Sequence, residues 1–418
     1  MDITTSRRQF LQSSGTLLLG AAASTATVKG APRPATNPAN ADYWALVRSK
    51  FAFSETSIPM NAANLCPSFR SVAETVQTLT YDIDQDCSFN NRAKFKNLLK
   101  HSRYLVANQL NVSEEEIALV RNTSEANNII NNGLELNRGD EVLLWDQNHP
   151  TNNIAWDVRA ARFGYAIKRV STPAKPTNQQ ELIDTFVSQF TPRSRVLSIT
   201  HVSNLSGIKL PIKEIIAAAH AKNIYVHVDG AQVWGALALD LKDLGMDSFS
   251  ASAHKWYMGP KETGLLYVKK SRIDTIWPNT IAPGWGPGVK TTLPGARKFE
   301  SLGQRDDAGL AALGVAAREH NDIGSQRTQQ RITALSQRLK AGISELGLEL
   351  VTPMDPELSF GVCITRAPDG DGRTIVNKLY TDYGIAAAPT GGVRLCPTIY
   401  NSPEHIDRAI VGLKELMT

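Results

Sequence analysis

The chain is poor in cysteine. Only Cys66, Cys87, Cys363 and Cys396 stand in 418 residues, and their spacing matches no metal-ligand pattern. In an oxidising compartment Cys66 and Cys87 could pair, but four cysteines in a chain of this size are more often buried thiols. Long apolar runs are missing as well. The apolar stretch Gly15–Ala23 is too short to cross a bilayer, which excludes a stable membrane anchor there. Concentrated charge of one sign is also lacking. Lys and Arg total 45 against 40 Asp and Glu, a net of +5 spread along the chain, with no basic block interleaved with aromatics. That argues against a nucleic-acid-binding surface. No internal repeat or low-complexity stretch stands out. At 42% hydrophobic and 20% charged, the composition is that of an ordinary globular protein, long enough for one large domain and a smaller one.

The N-terminus reads differently from the rest. Ser6-Arg7-Arg8-Gln9-Phe10-Leu11 precedes the short apolar run, and Ala31-Pro32-Arg33-Pro34-Ala35 follows it. A charged region, a short apolar region and a small-residue exit describe a secretory signal rather than a span. The adjacent arginines before Phe-Leu resemble a twin-arginine (Tat) signal, the route that exports folded proteins through the Tat machinery. A disordered tail is the plainer alternative. Residues 1–36 are therefore expected to be signal and linker, with cleavage after Ala23 or Ala26 both compatible, and the mature protein to be periplasmic. Residues 37–70 read as an N-terminal arm, with an amphipathic piece around Tyr43–Phe53.

From there, strands and helices alternate. Apolar spacing predicts a helix over 91–110 and strands at 116–120, 141–145, 166–170, 195–200 and 225–229, with helices at 154–163 and 212–220 between them. Such alternation predicts an α/β protein with a mostly parallel sheet, whose ligands sit at the carboxyl ends of the strands. Four polar clusters follow strands: Thr123-Ser124, His149, Asn204 and Asp229. Thr or Ser at a strand-to-helix junction is an N-cap and also an anion site. His149, taken alone, is as compatible with a solvated loop residue as with a group stacked on a flat ring. After a strand at 263–268 come a Pro/Gly-rich loop at 283–288, a long helical region at 308–346, and a tail that alternates strands and helices like a small α+β domain. The expected division is a large domain at 71–310 and a small one at 311–418.

The stretch Ser252-Ala253-His254-Lys255 lies downstream of a strand ending in Asp229. A buried lysine following an acid that ends a strand is what a pyridoxal phosphate enzyme needs. The lysine bonds to the cofactor's aldehyde, and the acid keeps the pyridine nitrogen protonated so that the ring accepts electrons. A lysine beside a histidine is not specific by itself, but the order of motifs is: TSEANN, the histidine before NNIAW, HVSNLSG, HVDGAQ, SAHKWYMGPK and VRLCPTIYN. Together they resemble the class V aminotransferases, fold type I pyridoxal phosphate enzymes, and within them the isopenicillin N epimerase-like branch. The resemblance covers Asn61 to the C-terminus.

The resemblance implies roles for individual residues. Lys255 would carry the cofactor, Asp229 would pair with the ring nitrogen, Gln232 would contact the ring hydroxyl oxygen and His149 would stack on the ring. Thr123, Ser124, Ser252 and His254 would hold the phosphate. Asn204 would lie beside the ring hydroxyl or the substrate carboxylate, and Arg394 would bind the carboxylate of an amino acid or small peptide. For Arg394 the plainer alternative is a surface ion pair. A homodimer is implied too, because each site in the family borrows groups from its neighbour. Where the family often carries Gly-Thr after the glutamate near Glu300, this chain has Gly303-Gln304, so Gln304 takes the place of the threonine that reaches the neighbouring phosphate. Cysteine desulfurases of the class carry a nucleophilic cysteine before the late arginine, whereas Ile385–Gly392 has none, which argues against that reaction. Aminotransferase-type chemistry is the leading expectation, with epimerisation and oxidative decarboxylation as alternatives. The leader adds a likeness to the periplasmic enzymes that tailor the glutamate residue of pyoverdine-type siderophore precursors. A non-enzymatic cofactor-fold binding module is the contrasting reading.

Overall fold

A computed structural model describes residues 41–286, 288 and 291–418. The proposed leader and the first residues of the arm therefore lie outside the described residues. A seven-stranded sheet occupies the middle of the chain: β2 (Ile117–Val120), β3 (Glu141–Trp145), β4 (Ala166–Val170), β5 (Ser194–Thr200), β6 (Tyr225–Asp229), β7 (Ser248–Ser252) and β8 (Gly264–Val268), in the order β2-β8-β7-β6-β5-β3-β4. Strands β4, β3, β5, β6 and β7 run parallel, and β8 is antiparallel to both of its neighbours. The mixed, mostly parallel sheet is the one the alternating pattern predicts.

Both faces of this sheet are covered, as parallel sheets require. Because side chains alternate along a strand, each strand divides its residues between two cores. Leu119, Leu143, Leu197, Val226, Val228, Phe249 and Ala251 pack on one side, against helices 95–109, 212–220 and 307–323. Ala118, Val120, Val142, Leu144, Val196 and Leu266 pack on the other, against helix Thr123–Gly133 and Trp156. On this second face the alternation also brings a polar row to the middle of the sheet: Ser198 and Thr200 on β5, His227 and Asp229 on β6, and Ser248, Ser250 and Ser252 on β7, all buried.

The C-terminal part builds a third core from Leu335, Leu339, Ile375, Leu379, Val393, Leu395, Ile406 and Leu413. Two small sheets belong to it: β9 (Cys363–Thr365) pairs antiparallel with β11 (Val393–Leu395), and β10 (Ile385–Ala386) pairs parallel with β1 (Ile58–Pro59) of the arm. The arm continues into a bridge between Asn61 and Cys396, so it is stitched to the strand that carries Arg394. Residues 41–418 form one compact unit.

Three local expectations need correction. The helix read over 91–110 is split, with Phe89–Arg92 capped by Ser88 ahead of Phe95–Gln109. The long helical region is two helices, Asp307–Ile323 and Ser325–Glu345, parted at Gly324, whose φ of 90° cannot continue a helix. At the β2–helix junction Asn122, not Thr123, is the N-cap: its extended backbone lets the side-chain oxygen accept from the Glu125 amide at 2.9 Å. All four cysteines are free, with Cys66, Cys363 and Cys396 buried and Cys87 exposed. Among the described residues no helix is long and apolar enough to cross a membrane.

Candidate active site

The lysine loop is held by its neighbours. β7 ends at Ser252, the Ala253 amide donates to the Thr263 carbonyl at 2.8 Å, and the Met258 and Gly259 amides return to the Lys255 and Ala253 carbonyls at 2.9 and 2.8 Å. Trp256 and Tyr257 on the far side of Lys255 are buried anchors. The Trp256 indole N–H donates to Gln232 Oε1 at 2.8 Å. The Tyr257 ring is stacked between Trp234 and His320, with centroids at 3.8 and 4.4 Å. Met258 closes the turn in the left-handed region, at φ 49°, a conformation a bulky residue adopts only when its surroundings enforce it.

Within this frame the Lys255 ammonium has no hydrogen-bond or ion-pair partner among the described residues. Burial pushes its pKa below the lysine range, the Asp229 carboxylate opposes that shift, and the Arg394 guanidinium adds to it. Asp229, at the end of β6, is buried. Its Oδ1 accepts from the Ala231 amide at 3.0 Å and its Oδ2 from the Asn127 side-chain amide at 2.9 Å. The backbone turns sharply behind it: a Cβ on Gly230 would fall 1.9 Å from the Phe249 ring, so only glycine fits.

His149 sits at the N-terminus of helix Pro150–Phe163, and its Nδ1 accepts from the Thr151 amide at 3.3 Å, which makes it the helix cap. The Thr151 hydroxyl lies 2.8 Å from the same nitrogen, and Ser124 Oγ lies 3.5 Å from that hydroxyl. Burial lowers the His149 pKa, the nearby Lys255 charge lowers it further, and Asp229 opposes both. The ring is therefore neutral at pH 7, with Nδ1 occupied as an acceptor and the proton on Nε2.

On the same face the Thr123 amide donates to Ser252 Oγ at 2.7 Å, and the two hydroxyls are 2.7 Å apart. Two of the residues expected to hold phosphate are thus joined at a helix N-terminus, where amide donors and the helix dipole favour an anion. His254 lies beside them in sequence; burial, with help from Lys255 and Lys261, drops its pKa to about 4. Gln232 already gives one amide hydrogen to the Ala63 carbonyl at 3.2 Å and accepts from Trp256, leaving one N–H free.

Arg394 on β11 is buried, not a surface ion pair. Its Nη1 donates to the Asn204 carbonyl and its Nη2 to Asn61 Oδ1, each at 3.0 Å, while its Nε is buried with no partner. Asn204 is buried as well, and its contact to Arg394 runs through its backbone. Gln304 stands apart. It is exposed, accepts from Arg92 Nη1 at 3.1 Å and donates to the Arg305 carbonyl at 3.0 Å, with no hydrogen bond to the other site residues of its own chain.

The structure thus gathers Lys255, Asp229, His149 and Arg394 within electrostatic reach of one another, with Thr123 and Ser252 bonded beside them. Residues 80–394 match the model of the aminotransferase class-V family.

The chain belongs to the class-V aminotransferase family.

This class-V chain is 27% identical over 390 residues to isopenicillin N epimerase of Streptomyces clavuligerus, covering 89% of this chain and 98% of the relative. It is 30% identical over 331 residues to a cysteine desulfurase of Yersinia pseudotuberculosis, covering 73% of this chain and 78% of the relative. Its fold superposes with a TM-score of 0.80 on a C-DES variant with glycine covalently linked to its PLP cofactor (23% identity, 88% of this chain, 99% of the other). The apo cysteine desulfurase of Thermococcus onnurineus gives the same TM-score at 22% identity, over 89% of this chain and 98% of the other. The family is one of pyridoxal phosphate enzymes. The residues here fit that cofactor: a partnerless, half-buried ammonium for the aldehyde, a buried carboxylate for the ring nitrogen, and paired hydroxyls at a helix N-terminus for the phosphate.

Two residues were not singled out from sequence. Asn127 bonds to Asp229, and His227 bonds to Asn127 at 2.8 Å. The signal was present as TxxxN in the helix and HxD in the strand, but only the packed structure brings them together.

Proposed function

We propose that the protein is a pyridoxal phosphate enzyme that breaks a bond at the α-carbon of an amino acid or of an amino-acid residue in a small peptide, with amino-group transfer as its net reaction. The observation that carries this reading is the placement of Arg394 within electrostatic reach of Lys255, its partnerless Nε–H a ready donor to a carboxylate. When bound, the cofactor supplies an electron sink for charge developing at the α-carbon. The chain's own residues do the rest. Arg394 holds the carboxylate and so orients the α-carbon. Lys255, with its basicity lowered by burial, is the group to take and return the α-proton at Nζ. Asp229 holds the ring nitrogen as a cation, His149 covers the ring as a neutral imidazole, and Gln232 and Asn204 offer polar groups toward the ring hydroxyl. Thr123, Ser124, Ser252 and His254 receive the phosphate.

The stretch Ile385–Gly392 before Arg394 carries no cysteine, which argues against desulfuration. Burial pushes Cys66 and Cys363 up to about 12 and raises Cys396, and Cys87 is exposed beyond the end of helix Arg70–Gln85. Epimerisation is the second reading, supported by the match over 98% of the Streptomyces epimerase; oxidative decarboxylation uses the same carboxylate grip. The leader motif Ser6-Arg7-Arg8-Gln9-Phe10-Leu11 supports Tat export and work in the periplasm. There a peptide-sized siderophore precursor of the pyoverdine type is the proposed substrate. Exposed Gln304 and neighbouring Phe89, which is 85% exposed, support a homodimer in which Gln304 meets the partner's site.

The test is mass analysis of products from amino acids and glutamate-bearing siderophore peptides, with and without a keto acid and with oxygen controlled. Transfer predicts product only when a keto acid is present. Inverted α-carbon without a keto acid would establish the epimerase reading instead.

A further inference from the structure

Beneath Asp229 lies a closed polar relay that none of the proposed roles uses. Helix Thr123–Gly133 presents Thr123 and Asn127, one turn apart, to the polar row of the sheet. Thr123 meets Ser252, while Asn127 meets β6 and β7 deeper in: its Nδ2 donates to Asp229 Oδ2 at 2.9 Å, and its Oδ1 accepts from Ser250 Oγ at 2.5 Å and lies 2.8 Å from His227 Nε2. His227 Nδ1 lies 2.8 Å from Ser248 Oγ. Asn127, His227, Ser248 and Ser250 are all buried at 2% exposure or less, so water does not compete for these bonds.

Donor and acceptor chemistry leaves this relay one arrangement. An ionised carboxylate only accepts, so the Asn127 amide must turn its N–H to Asp229 and its oxygen to Ser250 and His227. Both of those must then donate. His227 is therefore protonated on Nε2, and its bare Nδ1 accepts from Ser248. Burial agrees, lowering the His227 pKa to about 4 despite the nearby Asp229 charge, so the ring is neutral at pH 7. Every bond in the relay points its hydrogen toward Asp229, and none brings a positive charge. An arginine or lysine in this place would pair with Asp229 outright and compete with the ring nitrogen for it.

We propose that Asn127 is a positioning residue for the cofactor: held in one orientation by His227 and Ser250, it keeps the Asp229 carboxylate aimed, with its charge left uncompensated for the ring nitrogen. This goes beyond the substrate and reaction readings above and rests only on the family's cofactor. A ring nitrogen held less firmly as a cation withdraws less charge from the Lys255 nitrogen, which then keeps its proton to higher pH. Weakening the relay therefore loosens the cofactor and raises the pH at which its near-visible band changes form.

The full-length protein is loaded with pyridoxal phosphate, and two readouts are taken: the cofactor dissociation constant and the pH titration of the bound band. His227→Gln, whose amide can still donate to Asn127, is expected to stay within about threefold of the unaltered protein. Asn127→Leu and His227→Leu are expected to raise the constant by about tenfold or more and to shift the titration upward by about half a pH unit. Ser250→Ala removes one donor with little change of volume and is expected to give a smaller shift of the same sign, which carries the test where the larger changes do not fold. Unchanged constant and unchanged titration in Ser250→Ala and Asn127→Leu overturn the proposal, as does a His227→Gln protein as impaired as His227→Leu. Neither readout depends on turnover, so a wrong substrate leaves this test intact.

Discussion

Arg394 is a guanidinium with two nitrogens engaged and a third, Nε, buried without a partner. A buried donor left unpaired costs about 1–3 kcal/mol, a cost that a bound carboxylate removes. Arg394→Ala is therefore expected to raise KM for the amino-acid substrate about tenfold or more while leaving the bound cofactor's absorption unchanged. Arg394→Lys is not expected to restore it, since an ammonium lacks the planar fork. Steady-state kinetics with the absorption spectrum checks both, and loss of the cofactor band in Arg394→Ala would move the residue to a structural role. At this scale Lys255, Asp229, His149 and Arg394 were legible because each lies in a short motif of ordered residue types. Asn127 and His227 were not, because their meaning is a contact between positions 100 residues apart in sequence. The cap at Asn122 was missed for a related reason: Thr123 has the right chemistry, but the extended backbone that makes a cap is one residue earlier.

Among the elements, Asp247 joins several pieces at the start of β7. It is buried and accepts from His220 Nε2 at 2.9 Å, the Val226 amide at 2.8 Å and Arg272 Nε at 2.9 Å, tying helix Ile212–His220, β6 and the 3-10 turn Lys270–Thr275 together. Burial raises its pKa, but the hydrogen bonds from His220, Val226 and Arg272 outweigh it and hold the carboxyl below its ordinary value of 3.8. Because the folded value is the lower one, the stabilisation is complete above pH 3.8 and is lost as pH falls through the folded value. Asp247→Asn is expected to cost about 3 kcal/mol near neutral pH, with the difference from the unaltered protein shrinking in acid. Denaturant melts across pH check this; a difference that stays constant into acid would contradict it. Strands 141–145, 166–170 and 225–229 and helix 212–220 were legible to the residue, since apolar periodicity and flanking turn residues agree there. The break at Gly324 was not, because a lone glycine within a helical pattern ends a helix only when the chain must change direction.

For the whole molecule, the sheet class followed from alternation, whereas the stitching of the arm to β10 and Cys396 had no local signal. The site needs that arm, because Asn61 holds Arg394. A homodimer is expected in sedimentation, and a fully active monomer would remove the proposed role of Gln304. Replacing both Arg7 and Arg8 by Lys is expected to keep the protein in the cytoplasm, read by fractionation, and continued export would end the Tat reading.

The central claim is that Lys255 carries pyridoxal phosphate, and borohydride reduction of the purified protein followed by peptide mass analysis tests it most directly. The account predicts the reduced cofactor on the peptide containing Lys255, and neither adduct nor imine band in Lys255→Ala. A cofactor fixed to another lysine, or a band that survives Lys255→Ala, would contradict it.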